Sequence, residues 1–311
     1  MSLFTQDIKN WDDWFHVFQS VSAFTPLVEF ILSRHGLEIS PLEKLAPGTN
    51  AVFRVGEYVV KIFSPQGLCN DYGTTIEVEM FGMRLAEEVG VPAPRLIADG
   101  EVDDKYFFRY MVMDYIHGKM LCDVAKNLSY DDKVKIGQNM RKITDALNQP
   151  CENFSPFDVK EYALASEDWR EEENFPEAFL AERLAYLDDF HIAENEKVYC
   201  HGDFHAENVL VDDGLNVYVV DFADAMHAPV GYEQVYVVSA LFCFERPYME
   251  GYFGEYDVDE IVDLCMTWLP VHAWGHGTTA ENLKPASEIT SFEIMRKRLR
   301  ELVEKEKGAT R

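Results

Sequence analysis

The chain is 311 residues long, enough for two domains, and its 47% hydrophobic and 13% aromatic content supports a sizeable core and excludes global disorder. Its 28 Lys and Arg stand against 55 Asp and Glu, a formal net charge of −27. That balance argues against nucleic-acid partners and anionic membranes, whose phosphates need cations, and leaves a cationic small molecule or simply a solvated acidic surface.

The six cysteines, Cys69, Cys122, Cys151, Cys200, Cys243 and Cys265, are scattered without C-x-x-C spacing. They read as reduced, mostly buried thiols of a cytoplasmic protein. No basic segment leads into an apolar core of the kind that marks a signal peptide, and no apolar run approaches the roughly 20 residues of a membrane span.

In chain order, Ile8–Ser20 and Thr25–Arg34 have helical periodicity, with Trp11, Trp14, Phe15 and Phe18 recurring on one side as a core stripe. Leu42–Phe63 reads as strands, with Ala51–Val55 and Tyr58–Phe63 flanking a hairpin turn at Gly56–Glu57. Before them, Pro47-Gly48-Thr49-Asn50 is a small polar loop whose backbone can approach a phosphate. Lys61 sits in the apolar run VVKIF, either on a solvent face or as a buried cation in need of an anion. Thr75–Val89 has a helix pattern with Glu79 near its start, stopped by Val91-Pro92-Ala93-Pro94. Arg95–Gly100 and Tyr106–Tyr115 read as strands about a turn at Asp103–Asp104. This is a small α+β lobe, and the boundary falls at the connector containing Gly118. The expected domains are therefore 1–115 and 116–311.

Beyond the connector, Asp131–Asn148, Pro176–Phe190, Tyr232–Phe244, Val258–Leu269 and Ala280–Lys307 look helical. Between the second and third lies YCHGDFHAENVLVDDGLNVYVVDFAD, residues 199–224: an apolar run, a polar loop, and a second apolar run ending in Asp221. His201, Asp203 and Asn208 fit H-x-D-x-x-x-x-N. A carboxylate beside a substrate hydroxyl can accept its proton in the transition state, which assigns Asp203 as the base. The Asn208 amide and the Asp221 carboxylate are hard oxygen donors of the kind Mg²⁺ prefers, with substrate phosphates and water completing its shell. If ATP is the donor, catalysis is positioning plus charge neutralisation. The plainer alternative is a polar turn between two core strands. His201, Asp203 and His205 also admit a metallohydrolase reading, which leaves Lys61 and Glu79 unexplained.

HGDFHAEN followed by VVDFAD resembles the catalytic and metal-binding loops of the aminoglycoside phosphotransferase and choline kinase-like family. Further segments match in the same order: Lys61 in VVKIF, Glu79 in EMFGMRLAEEVGVPAP, MVMDYIHG at 111–118, and PVGYE at 229–233. The resemblance runs from about residue 42 to 245. It implies a bilobal protein-kinase-like fold, with a small β-rich N-terminal lobe and a larger, mostly helical C-terminal lobe. It also implies transfer of the γ-phosphate of ATP, or of GTP, with Mg²⁺, to a hydroxyl of a small molecule. By the same resemblance Lys61, paired with Glu79, contacts the nucleotide phosphates. The loop at Gly48 and Asn50 covers them, and the backbone of Asp114, Tyr115 and Ile116 meets the base. Acids at Glu233, Asp224 and Glu245 become candidate contacts for a cationic acceptor, an aminoglycoside or an amino alcohol.

The chain departs from the family pattern in three places. Its nucleotide loop carries a single glycine, Asn148 stands where many members have histidine, and Glu207 occupies a position usually small; Glu207 is expected to point to solvent. A kinase-fold module that binds a ligand without turnover is the competing reading. Oligomeric state is not legible in the sequence.

Overall fold

The computed structural model describes residues 2–46, 48–65, 75–165 and 168–308. Pro47, of the expected phosphate-facing loop, and Cys69 lie outside the described residues. Two compact units divide the chain: residues up to Glu87 with Ala93–His117, and Glu88–Pro92 with Gly118 onward.

The first unit is β-rich. It opens with helices α1 (Trp11–Val17) and α2 (Val21–Arg34), both shifted from their expected bounds by polar caps. The Asn10 side chain accepts from the Asp13 amide, and the Ser20 side chain from the Ala23 amide; each satisfies a donor that a helix start leaves open. A sheet of five strands follows: β1 (Leu42–Lys44), β2 (Ala51–Val55), β3 (Tyr58–Ile62), β4 (Leu96–Asp103) and β5 (Phe107–Asp114). Their order is β1-β2-β3-β5-β4, all neighbours antiparallel. The β2–β3 turn works because Gly56 takes φ +63° at no steric cost. Helix α3 (Thr75–Val89) lies in the chain between β3 and β4. Phe24, Leu27, Val28 and Ile31 of α2 recur at helical spacing and pack with Phe53, Val60 and Phe108 of the sheet. The aromatic stripe of α1 divides. Trp14 and Phe18 enter this core, while Phe15 stays exposed with its ring stacked on Trp11.

The second unit is mostly helical. It comprises β6 (Lys119–Met120), α4 (Leu121–Val124), α5 (Tyr130–Leu147), α6 (Val159–Ala165), α7 (Asp168–Glu171), α8 (Glu177–Asp189), β7 (Lys197–Cys200), β8 (Val209–Val211), β9 (Val217–Val219), β10 (Met226–Pro229), α9 (Val230–Tyr236), α10 (Arg246–Phe253), α11 (Val258–Trp268), α12 (Gly275–Asn282) and α13 (Phe292–Gly308). Two small antiparallel sheets, β6-β8-β9 and β10-β7, carry the polar loop of interest. Tyr232–Phe244 is not one α-helix: after α9 the backbone widens into a π-turn over Val237–Leu241. Ala280–Lys307 is likewise two helices. Pro285 has no amide to continue the hydrogen-bond ladder, so α12 ends at Asn282 and α13 starts at Phe292. The described chain is thus α+β, with a β-rich and a mostly helical unit, as expected.

Helices α5 and α10 meet at glycines. A Cβ on Gly137 would stand 2.3 Å from the Tyr248 carbonyl oxygen, and one on Gly251 2.1 Å from that of Val134. Both neighbours are backbone, so a methyl group forces the helices apart. Gly251→Ala is expected to lower the unfolding free energy by about 1–3 kcal/mol, the usual cost of overpacking. Urea denaturation measures it, and an unchanged midpoint would contradict the close approach.

Candidate active site

Strand alternation decides the fate of Lys61. Val60 and Ile62 point into the core of the first unit, so Lys61 faces the other side of the sheet. That side is not solvent: Lys61 is 5% exposed and Glu79, from α3, 2%. Lys61 Nζ lies 2.9 Å from Glu79 Oε1 and 2.8 Å from Oε2. A buried ammonium is tolerated because a carboxylate is fixed against it, and either group alone would be left as an uncompensated charge.

The 114–116 segment is partly committed. The Asp114 carboxylate accepts the Arg95 amide at 2.5 Å and Arg95 Nε at 2.9 Å, and its own amide donates to the Arg95 carbonyl. The Tyr115 amide donates to the Glu57 carbonyl at 2.9 Å, and the Arg54 guanidinium lies 4.0 Å over the Tyr115 ring. The Asp114 carboxylate and the amides of Asp114 and Tyr115 are therefore engaged, and what the backbone of the two residues has to offer is carbonyls. The Ile116 amide has no hydrogen bond among the described residues. Among the described residues, a Cβ on Gly48 would meet nothing within 4 Å, and the Asn50 side chain has only the Thr49 hydroxyl at 3.5 Å. Trp14 Nε1 holds this loop through the Thr49 carbonyl at 2.8 Å.

In the second unit the loop after β7 is built from the backbone outward. His201 is fully buried, its ring stacked on Phe204 at 4.2 Å, with Nε2 3.1 Å from the Val220 carbonyl and Nδ1 accepting the Asp203 amide at 3.4 Å. Burial pushes its pKa down to about 4, so it stays neutral and braces the loop. With both nitrogens engaged, His201 has no lone pair for a metal. Among the described residues no group of three or more His, Cys, Asp or Glu is arranged to hold a metal ion. The metallohydrolase alternative thus lacks its ligand set.

Asn208 Nδ2 donates to the Asp203 carbonyl at 3.0 Å and to Asp203 Oδ2 at 2.9 Å. This turns the amide oxygen of Asn208 away as a free hard donor. His205 Nε2 lies 3.3 Å from the same Oδ2, so neither neighbour occupies Oδ1 of Asp203. Burial pulls the His205 pKa down, but the Asp203 carboxylate outweighs it, and the net shift is upward. The Val220 amide donates to the Asn208 carbonyl at 3.0 Å, tying the end of β9 to the loop. Asp221 follows at φ +62°, a left-handed conformation rare outside glycine and frequent where a side chain must be aimed. An amide oxygen and a carboxylate delivered this way suit Mg²⁺.

The acid candidates separate. Asp224 is exposed and so is Glu207, the latter as expected. Glu245 is ion-paired with Lys133 of α5. Glu233 does not face an acceptor: it is 1% exposed, and its Oε2 accepts the Gly202 amide at 3.3 Å. Its carboxyl ties down the loop after β7 at Gly202. Lys133 and Arg95, which decide what Glu245 and Asp114 can do, carried no sequence signal, because an ion pair between distant residues has no local pattern.

A lysine–glutamate pair in a β-rich unit and an H-x-D-x-x-x-x-N loop followed by a strand and Asp221 together match one known pattern. The model of the phosphotransferase enzyme family covers residues 42–265. The chain belongs to this family. It is a small-molecule phosphotransferase. No curated protein sequence matches the chain. Among solved structures, aminoglycoside 2′-phosphotransferase-IIIa bound to GDP is similar at 19% identity, over 93% of this chain and 99% of that one, with a TM-score of 0.58. A streptomycin–ATP ternary complex of APH(2″)-IIa is similar at 17% identity, over 86% and 97%, with a TM-score of 0.58. APH(3″)-Id from Streptomyces rimosus is similar at 17% identity, over 89% and 98%, with a TM-score of 0.51. At these identities the likeness is one of fold.

In this phosphotransferase, burial pushes the Glu233 pKa from its ordinary 4.5 to about 8. Between those values the folded chain holds a proton that the unfolded chain releases, so the unfolding free energy falls as pH rises through that window. Glu233→Gln removes the titration. The stability of the variant relative to the parent is expected to improve steadily across that window, followed by urea melts. Parallel pH profiles would contradict a buried, proton-binding Glu233.

Proposed function

We propose that this phosphotransferase moves the γ-phosphate of ATP, with Mg²⁺, to a hydroxyl of a small molecule, with GTP as the alternative donor. The observation that carries the reading is the Asn208–Asp203 hydrogen bond. It leaves one free oxygen on each side chain: Oδ1 of Asp203 to take the acceptor's proton, and the amide oxygen of Asn208 to ligate the metal beside Asp221. Bound there, Mg²⁺ would neutralise charge on the transferring phosphate. Lys61, kept charged and aimed by Glu79, would bind the α and β phosphates. Gly48 and Asn50 would lie over them, and the Asp114 carbonyl and Ile116 amide would meet the base. On this reading residues 1–115 serve the nucleotide, and 116–311 serve catalysis and the acceptor. The similar structures solved with GDP and with ATP support a nucleotide donor, and their kanamycin and streptomycin ligands support a polyhydroxylated, cationic acceptor. The net charge of −27 favours a cation as well.

Asp203→Asn is expected to cut ADP release with a panel of aminoglycosides, amino alcohols and sugars by about 10²–10⁴-fold, the span of general-base catalysis, while nucleotide affinity stays. Unchanged turnover would remove Asp203 from the role of base. Asp221→Ala is expected to abolish the Mg²⁺-dependent part of nucleotide affinity in calorimetry, and retained Mg²⁺ linkage would remove it from the metal site.

A further inference from the structure

His205 opens a tight turn whose far end is Asn208. The Asn208 amide donates to the His205 carbonyl at 3.0 Å, and the His205 amide donates to the Asp203 carbonyl at 3.0 Å. Between Asp203 and His205, Phe204 is fully buried with its ring stacked on His201, which pegs the loop to the core. The His205 ring is then engaged at both nitrogens. Its Nδ1 accepts the Glu207 amide at 3.3 Å, and its Nε2 lies 3.3 Å from Asp203 Oδ2. An N–H that donates to Nδ1 leaves no room for a proton there, so the neutral ring carries its hydrogen on Nε2, facing the carboxylate. Oδ2 of Asp203 thus has two N–H neighbours of different standing. Asn208 Nδ2 lies 2.9 Å from it, but the same amide is the metal ligand of the kinase reading and must answer to the metal as well. The second nitrogen of His205 is tied instead to the main chain of its own turn.

We propose that His205 is a positioning residue for Asp203: its Nε2–H holds Oδ2 from a ring fixed by the Glu207 amide, and so keeps Oδ1 presented to the attacked hydroxyl while Asn208 turns its oxygen to the metal. The inference rests on the kinase reading above. His205 takes no proton from the acceptor and acts through the base alone. The torsion that exchanges Oδ1 and Oδ2 of an aspartate is broad when nothing restrains it. With two N–H groups on Oδ2, one of them independent of the metal, that rotation costs both contacts, and the base stays aimed through the metal-bound stage of the reaction.

The test is steady-state ADP release from Mg²⁺-ATP by the full chain, with kanamycin, streptomycin, choline, glucose and homoserine as acceptors. His205→Phe keeps a flat ring and removes both nitrogens. Its expected effect is a kcat lower by about tenfold with the nucleotide KM and the melting temperature unchanged, since aim of the base acts on the transition state and not on donor binding. Two amide variants separate aim from packing. In His205→Gln the amide nitrogen lies as many bonds from Cα as Nε2 does and reaches Oδ2, whereas in His205→Asn it lies where Nδ1 stands. Gln is expected to restore kcat to within about threefold of the parent, and Asn to remain as low as Phe. Equal losses in all three variants, a kcat that falls only in step with the melting temperature, or His205→Phe within about twofold of the parent would overturn the inference and leave the kinase reading intact. The ring supplies a readout that needs no turnover: long-range ¹H–¹⁵N spectra of the parent in mildly alkaline solution are expected to show His205 protonated at Nε2, and protonation at Nδ1 would overturn the inference. A parent that binds ATP but turns over nothing on the panel would overturn both it and the kinase reading.

Discussion

Two backbone segments touch at Gly202, and the geometry of the candidate site depends on that contact. Gly202 sits at φ +80°, and a Cβ there would stand 2.3 Å from the carbonyl oxygen of Asp224. No other residue lets the loop after β7 and the loop after β9 approach so closely. The approach brings the segments bearing Asp203 and Asp221 side by side. Three further ties hold it: the His201 ring to the Val220 carbonyl, the Val220 amide to the Asn208 carbonyl, and the Gly202 amide to the buried Glu233 carboxyl. Each is a buried polar group finding a partner that the fold must supply, since an unsatisfied one is costly. Four of the six groups in these ties are main-chain amides or carbonyls, so the two loops are joined largely by backbone.

Charge is handled in two ways in this strongly acidic chain. On the surface, pairs such as Arg141 with Asp145 and Arg170 with Glu177 are solvated and contribute little. In the interior of the first unit, Lys61 and Glu79 are taken out of water together. Such a pair is a poor way to gain stability, because two desolvation penalties offset most of the attraction. It is a good way to keep an ammonium charged and fixed in direction, which is what recognition of a phosphate requires.

The elements that depend on local pattern were legible: the hairpin at Gly56, helix α3, and the strand–loop–strand around Asp203. The Ser20 cap, the break at Pro285 and the π-turn shifted or split helices, because each follows from a hydrogen bond or a missing amide that periodicity does not register. Within the candidate site, the H-x-D-x-x-x-x-N spacing singled out Asp203 and Asn208 in the sequence, and Asp221 followed from its place at the end of the next apolar run. What stayed hidden was which acid is buried. Glu233 and Glu245 look alike as letters, yet one is buried against the Gly202 amide and the other pairs with Lys133 on a different helix. The stack of the Tyr232, His272 and Tyr236 rings was hidden for the same reason, since it joins residues from separate segments. In the sequence an aromatic there reads simply as core.

The most direct measurement of phosphoryl transfer is mass spectrometry of a mixed pool of aminoglycosides, amino alcohols and sugars incubated with the chain, Mg²⁺ and ATP. The expected result is one class of acceptor gaining a single phosphoryl group, matched mole for mole by ADP. Tight Mg²⁺-linked ATP binding with no phosphorylated product and no ADP formed would contradict it, and would mark a kinase fold used only to bind.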